Sequence, residues 1–428
     1  MFCFQRKIDM KVQTAKIYQD ASWDFRTANT KYATHCFHAY PAMMIPQVAA
    51  RILEEYAPTA RVLFDPYCGT GTSLVEASIR GMRAFATDLN PLARLLTQGK
   101  TTPLHLQVLD LYLKQYADFT FGLRFGIEQQ RNLVVPDFPN RDFWFRPSEQ
   151  VALAYIKQFI DNIQEPAIAQ FFQIAFSETV RDSSLTKKGE FKLVRMPDSQ
   201  WERFAPNVFG IMEAKLSRNR KGLQEYMSHE RLGVVTVHDF NTAEGIPPHI
   251  FSEEIDAVVT SPPYGDSSTT VAYGQFSRLS LQWLGIEEAG RVDKKLMGNI
   301  RLASIPQFDY KPLDTALQAI AEQDVKRATE VAAFYLEYEQ SIRHVTATVR
   351  RDGLIGYVVG NRRVKGSQLP TDKITAEFFS RNGCEHIATI IRSIPNKRMP
   401  SKNSPTNIPG IIDSTMHQEF IVIAKKIV

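Results

Sequence analysis

Two short stretches of this chain carry residue types and spacings suited to chemistry. The first is Thr260-Ser261-Pro262-Pro263-Tyr264-Gly265, which closes the apolar run Ile255–Thr260. Two consecutive prolines fix φ and stiffen the turn. The Ser261 oxygen and the Pro262 carbonyl would then stand as preorganised hydrogen-bond acceptors. An amino group on an aromatic ring is a poor nucleophile, because its lone pair is delocalised. Acceptors aimed at its N–H bonds favour a pyramidal nitrogen and return that lone pair for attack. Pro263 completes the rigid turn, and Tyr264 offers a ring on which a flat heterocycle can stack. Alone, the tetrapeptide would serve as a stiff turn in any protein, so its weight comes from what surrounds it.

The second stretch, Asp65-Pro66-Tyr67-Cys68-Gly69-Thr70-Gly71-Thr72, follows the short apolar run Arg61–Phe64 and precedes a helical pattern from Ser73 to Arg80. Its glycines allow close backbone approach to a ligand. A second apolar run, Ala84–Thr87, ends on Asp88, whose carboxylate suits two ribose hydroxyls; together these features bind a nucleoside. The turn is neither G-x-G-x-x-G nor a phosphate-gripping P-loop. An aspartate inside it would repel a pyrophosphate but attract an ammonium group, which favours S-adenosylmethionine over NAD.

Both stretches need strands to position them. Arg61–Phe64, Ala84–Thr87, Val234–Val237, Ile255–Thr260, Gly353–Val359 and Glu419–Ala424 read as strands. Ile45, Val48, Ile52 and Tyr56 fall at helical spacing, as do Phe334, Tyr338, Ile342, Val345 and Val349. Alternation of strand and helix predicts an α/β fold with a mostly parallel central sheet flanked by helices. Ligands of such sheets sit beyond the carboxyl ends of the strands, where Asp65, Gly69, Gly71, Asp88 and Asp239 all fall. Residues 101–230 break the alternation. They carry helical patterns at Val151–Ile163 and Ala167–Val180, then a basic stretch from Arg181 to Lys221 that reads as irregular. The chain thus divides into an N-terminal segment and cofactor half (1–100), a largely helical insertion (101–230) and a catalytic half (231–428).

DPYCGTGT resembles the cofactor turn of the amino-methyltransferases that act on DNA, and TSPPYG resembles their catalytic motif. HAYPAMMIP is similar to the segment that precedes the cofactor turn in many cytosine-N4 members. The resemblance implies a Rossmann-like methyltransferase using S-adenosylmethionine. It places Asp65, Cys68, Gly69 and Gly71 around the methionine portion, Asp88 on the ribose, and Asp239 with Phe240 at the adenine. Tyr40, Pro41, Pro66, Thr72 and Asn90 complete the implied cofactor set. The catalytic residues are Ser261, Pro262, Pro263 and Tyr264. Serine at the first motif position is commoner among cytosine-N4 enzymes, so direct methyl transfer to that amino group of a flipped base in double-stranded DNA is expected. Adenine-N6 and RNA guanine-N2 methylation are the alternatives, with a non-enzymatic nucleic-acid-binding protein as a further one. Methylation at a ring carbon would need a cysteine nucleophile, usually after a proline, and none of Cys3, Cys36, Cys68 or Cys384 follows one.

Charge distribution agrees with a polyanionic partner. The net charge is +5, yet residues 181–222 carry 10 Lys/Arg against 5 Asp/Glu and residues 362–402 carry 9 against 3, so the remainder is acidic. The cofactor turn precedes the catalytic motif, the order called alpha in these enzymes, which implies target recognition within 101–230. Candidate DNA contacts are Arg181, Lys187, Lys188, Arg218 and Arg220, with Arg362, Arg363, Lys397 and Arg398 in the second region. A cognate restriction endonuclease is an expected partner. Scattered cysteines without metal-like spacing, the lack of a signal-like N-terminus and the lack of an apolar run of about 18 residues favour a cytoplasmic protein without metal or membrane partner.

Overall fold

The computed structural model describes residues 15–126, 133–251, 253–265, 271–298, 300–394, 402–403, 413–414 and 417–428. Its strands are β1 (Lys16–Gln19), β2 (Val62–Asp65), β3 (Arg83–Thr87), β4 (Val235–His238), β5 (Ile255–Thr260), β6 (Val349–Val359), β7 (Arg362–Val364), β8 (Ser367–Leu369), β9 (Cys384–Ser393), β10 (Lys402–Asn403), β11 (Asp413–Ser414) and β12 (Gln418–Lys426). Eight of them form one sheet in the order β1-β9-β12-β6-β5-β2-β3-β4. Strands β2 and β5 lie near its middle and are buried almost throughout, as their unbroken apolar runs require. All pairings in this sheet are parallel except those of β12, which runs antiparallel between β6 and β9. The chain moves outward from β2 to β3 and β4, then returns to β5 on the other side of β2. The crevice at that reversal is where a doubly wound sheet receives its ligand.

Helices cover both faces. Pro46–Tyr56 and Thr72–Ile79 pack on one side, around Leu63, Ala257 and Ile423. Lys311–Ala321, Val325–Thr348 and Thr371–Arg381 pack on the other, around Phe64, Val258 and Tyr357. Prolines open several helices, including those starting at Pro46, Pro91, Pro147 and Pro166, because the first turn needs no donor from that residue.

Between β3 and β4 lie the helices Pro91–Thr101, Leu106–Arg124, Pro147–Asp161, Pro166–Ser183 and Val208–Met227. The last corrects the expectation of an irregular stretch to Lys221. Leu216, Leu223 and Tyr226 are buried on it, and the charged residues between them hid that spacing. These helices share one hydrophobic core with Phe37 and Tyr40 before the cofactor turn and with the helix Tyr273–Trp283 after the catalytic motif. Trp283 is fully buried and meets Phe138, Phe145 and Phe176 edge-on at ring-centroid distances of 5.8, 5.6 and 6.3 Å.

The segment before the first helix, polar by sequence, is also built in. Strand β1 extends the sheet edge. His35 and Tyr32 both bond the buried Glu76, the former at 2.8 Å, and Arg80 pairs with the same carboxylate at 2.6 Å. Among the described residues no helix is long and apolar enough to cross a membrane.

Candidate active site

The carboxyl ends of β2, β3, β4 and β5 surround a cavity that opens to solvent, at the place where such a sheet receives a small molecule. Tyr40, Pro41, Asp65, Pro66, Cys68, Gly69, Thr72, Asp88, Asn90 and Phe240 line it together with Ser261 and Pro263. Cofactor turn and catalytic motif therefore meet in one space, 195 residues apart in sequence at the Asp65–Thr260 bond.

Each wall is held by a specific set of bonds. Asp65 ends β2, where its Oδ1 accepts from the Tyr67 amide at 3.1 Å and from Thr260 Oγ1 at 2.5 Å, and its Oδ2 accepts from Ser73 Oγ. Burial pushes its pKa up to about 6 against the pull of those donors. Its carboxylate thus locks β2, β5 and the helix Thr72–Ile79 together, a duty that precedes any attraction for an ammonium group. Asp88 accepts from the Gly69 amide at 2.9 Å and the Asn90 amide at 2.8 Å, one on each oxygen. Burial raises its pKa. A carboxylate has about four acceptor positions, so both oxygens keep capacity for ligand hydroxyls.

Asn90 caps the helix Pro91–Thr101 and donates from Nδ2 to Tyr40 Oη and Ser277 Oγ, both at 2.7 Å. Tyr40 stacks on Tyr273 with 5.8 Å between centroids. The upstream HAYP segment is thereby fixed to the helix that follows the catalytic motif. Phe240 exchanges two bonds with Thr87 Oγ1, at 2.7 and 3.1 Å, which ties the end of β4 to the end of β3.

Two implied cofactor residues stand elsewhere. Gly71 does not line the cavity; it has φ +77°, and a Cβ there would lie 2.9 Å from Thr97 Cγ2. It is a glycine because Thr97 packs behind the turn. Asp239 is drawn outward by Arg94, which bonds it at 2.9 Å while also holding the Asp88 carbonyl at 2.7 Å. Asp239 borders an adjoining open groove instead.

The residues present fit a nucleoside with a charged tail. Thr70 Oγ1 is buried without a partner among the described residues, on the cavity wall. A Cβ on Gly69, where φ is +50°, would meet nothing within 4 Å among the described residues beyond its chain neighbours, so the backbone is bare toward that space. The thiol of Cys68 is pushed well above its usual pKa by burial, which leaves it an inert wall. Sequence reading did not assign Thr70, Met43, Met44, Tyr67, Leu89, Asn241, Thr242, Leu296 and Met297 to the site. Most adjoin motif residues and could have been found by proximity, whereas Leu296 and Met297 arrive by tertiary folding alone.

In the catalytic turn, Ser261 Oγ donates to the Val358 carbonyl at 3.1 Å and lies 3.3 Å from Tyr264 Oη. Pro262 is buried beneath it. Tyr264 does not line the cavity, and its hydroxyl donates to Glu419 Oε1 at 3.2 Å. Gly265 is closely covered by Arg362, whose Nη1 would be 1.7 Å from a Cβ there.

Several expected DNA contacts are bonded to other residues of the protein. Arg181 lies over the Phe276 ring at 4.3 Å and donates to the carbonyls of Phe276, Glu190 and Phe191; burial lowers its pKa to about 10. Arg218 bonds Glu178 and the Phe37 carbonyl, and Arg220 bonds Asp110 through two nitrogens. Their helices turn all three side chains toward neighbouring elements. Lys187 pairs with Glu190 at 3.1 Å, and Lys188 donates to the Asp182 carbonyl at 2.7 Å, but both residues remain exposed. Arg363 is exposed on the β7–β8 hairpin. Lys397 and Arg398 lie outside the described residues.

No protein-family model matches the chain. Among solved structures it is similar to the rRNA methyltransferase aviRa from Streptomyces viridochromogenes (11% identical, covering 91% of this chain and 88% of that one, TM-score 0.31). It is also similar to a SAM-dependent methyltransferase from Methanosarcina mazei (9% identical, 91% and 99% covered, TM-score 0.32). The Type II methyltransferase M.MjaII from Methanocaldococcus jannaschii is 28% identical over 75 residues, 18% of this chain and 14% of that one. The Type II methyltransferase M.MvaI from Kocuria varians is 38% identical over 424 residues, 94% of this chain and 93% of that one. With that identity over nearly the whole of both chains, the protein belongs to the Type II DNA methyltransferases, the S-adenosylmethionine-dependent enzymes of restriction–modification.

Proposed function

We propose that this methyltransferase modifies the N4 amino group of cytosine in duplex DNA, on a base flipped into the space beside Ser261. The observation that carries the reading is the state of Ser261. Its hydroxyl hydrogen is taken by the Val358 carbonyl, so its lone pairs face the cavity as acceptors. S-adenosylmethionine, when bound, supplies an electrophilic methyl group on a sulfonium. The remaining work is done by the chain. Ser261 Oγ and the Pro262 carbonyl accept the two amino hydrogens and orient the nitrogen lone pair. The proline pair holds both acceptors without reorganisation. Asp88, Thr70 and the bare backbone at Gly69 fix the donor's nucleoside, and alignment of the two reactants supplies much of the acceleration. No cysteine is required.

The family resemblance of a serine-first motif favours cytosine over adenine. For the DNA surface, the exposed loop between Thr186 and Arg195 and the β7–β8 hairpin are the proposed contacts. They hold Lys187, Lys188, Lys192 and Arg363. The loop is fastened beside the active site, since Gln275 accepts the Leu193 amide at 3.2 Å. A cognate endonuclease is the proposed partner, as the family's biology requires.

The test is transfer of label from tritiated S-adenosylmethionine to unmethylated plasmid DNA or to tRNA, followed by digestion to nucleosides. N4-methylcytosine is the expected product. Label in N6-methyladenine would overturn the base assignment, and label in tRNA alone would overturn the DNA reading.

A further inference from the structure

Glu419 is outside every motif, yet it contacts the catalytic turn. It stands at the start of β12, directly opposite Arg392 on β9. Arg392 is buried and bonds Glu419 Oε2, while also donating to the carbonyls of Trp23 at 2.8 Å and Asp24 at 3.3 Å. Asp24, itself buried, accepts from the Ser393 amide at 2.7 Å. The N-terminal segment therefore clamps Arg392, and Arg392 fixes which oxygen of Glu419 faces Tyr264.

We infer that Glu419 is a positioning residue that sets the hydrogen-bond polarity of the catalytic turn; this rests on the proposed amino transfer. A carboxylate only accepts hydrogen bonds. Tyr264 Oη must therefore give its hydrogen to Glu419, 3.2 Å away, and can only accept from Ser261, 3.3 Å away. Among the described residues Ser261 is left with no incoming donor. Its hydrogen goes to the Val358 carbonyl, and its lone pairs stay open to the amino group of the target. Were Tyr264 to point its hydrogen at Ser261, it would occupy one of those lone pairs and weaken the acceptor.

The inference makes an unusual prediction about one isosteric change. In Glu419→Gln, Arg392 demands the amide oxygen, so the amide nitrogen faces Tyr264 and donates to it. Tyr264 then turns its hydrogen toward Ser261. The expected result is a loss of about ten-fold in the single-turnover methylation rate, the effect of weakening one hydrogen bond, with S-adenosylmethionine affinity by calorimetry and the unfolding midpoint near those of the parent. Tyr264→Phe keeps the ring, removes the hydroxyl and should cost about three-fold. The double variant should recover the rate of Tyr264→Phe, because no hydroxyl remains to carry the reversed polarity. Glu419→Ala, which removes the acceptor without adding a donor, is the second probe if the amide variant fails to fold. Its loss should also vanish in the Tyr264→Phe background. Equal losses in both backgrounds, or an unimpaired Glu419→Gln, would overturn the inference. The parent's nucleoside product tests the reaction separately, so failure of one reading is distinguishable from failure of the other.

Discussion

The two glycines of the cofactor turn resemble each other in sequence but differ in what surrounds them, and alanine at each should separate stability from binding. At Gly71 an alanine would adopt φ near +77°, which costs about 1–2 kcal/mol. Its Cβ would also press on Thr97, with Cγ2 at 2.9 Å, Oγ1 at 3.0 Å and the backbone Cα at 3.2 Å. Thr97 is fully buried, and its Oγ1 donates to the Gly69 carbonyl at 3.1 Å. It cannot withdraw without breaking the turn, so overpacking adds about 1–3 kcal/mol. Gly71→Ala should therefore lose about 2–5 kcal/mol, a large part of a total stability of about 5–15 kcal/mol. At Gly69 only the left-handed backbone is strained, since among the described residues nothing beyond its chain neighbours lies within 4 Å of the new methyl. Gly69→Ala should cost about 1–2 kcal/mol, but its methyl enters the space that the cofactor must approach, and affinity should fall at least ten-fold. Urea unfolding gives the first quantity and titration calorimetry with S-adenosylmethionine the second. If Gly71→Ala unfolds at the parent's urea midpoint, or Gly69→Ala binds with unchanged affinity, the assignment of the two glycines is wrong.

Other expectations follow from single residues. Trp283→Ala should cost about 3–5 kcal/mol, read by urea unfolding, because its cage comes from three separate segments. Burial lowers the pKa of His38 from 6.5 to about 4. The unfolded chain therefore binds a proton first, and stability should fall as pH drops from about 6.5 toward 4; His38→Gln should flatten that slope. Arg220→Ala breaks only a surface pair with Asp110 and should change stability by about 1 kcal/mol or less, with DNA affinity unaltered in a filter-binding titration. Arg363→Ala should weaken DNA binding and lower the salt dependence of log affinity by about one.

Sequence patterns were most reliable where local chemistry dictates structure. The runs Val62–Asp65 and Ile255–Thr260 are strands as expected, because an unbroken apolar run beside a glycine or proline turn has few other uses. Ten of the twelve implied cofactor residues line the cavity for the same reason. The residues placed differently from expectation share a physical cause. Whether a side chain faces ligand or protein depends on partners far away in the chain. Gly71 answers to Thr97, Asp239 to Arg94, and Arg218 to Glu178. Strand β9 escaped notice because Glu385, His386 and Arg392 interrupt its apolar residues; Arg392 finds its partners on β12 and in the N-terminal segment. Glu419 carries no local signal at all, since its role exists only once β12 is threaded between β6 and β9.

The shared core around Trp283 has a consequence for how such an enzyme can acquire a new target sequence. Helices between β3 and β4 supply part of that core, and the helix beside the active site supplies the rest. Grafting the whole helical block from a relative would leave indole and cage mismatched. With the DNA contacts proposed above, the transplantable piece is smaller: the exposed loop between Thr186 and Arg195, held to the scaffold at Glu190 and Phe191 by the Arg181 guanidinium and at Leu193 by Gln275. Diversity of recognition can then accumulate on the rim while the frame beneath is inherited intact.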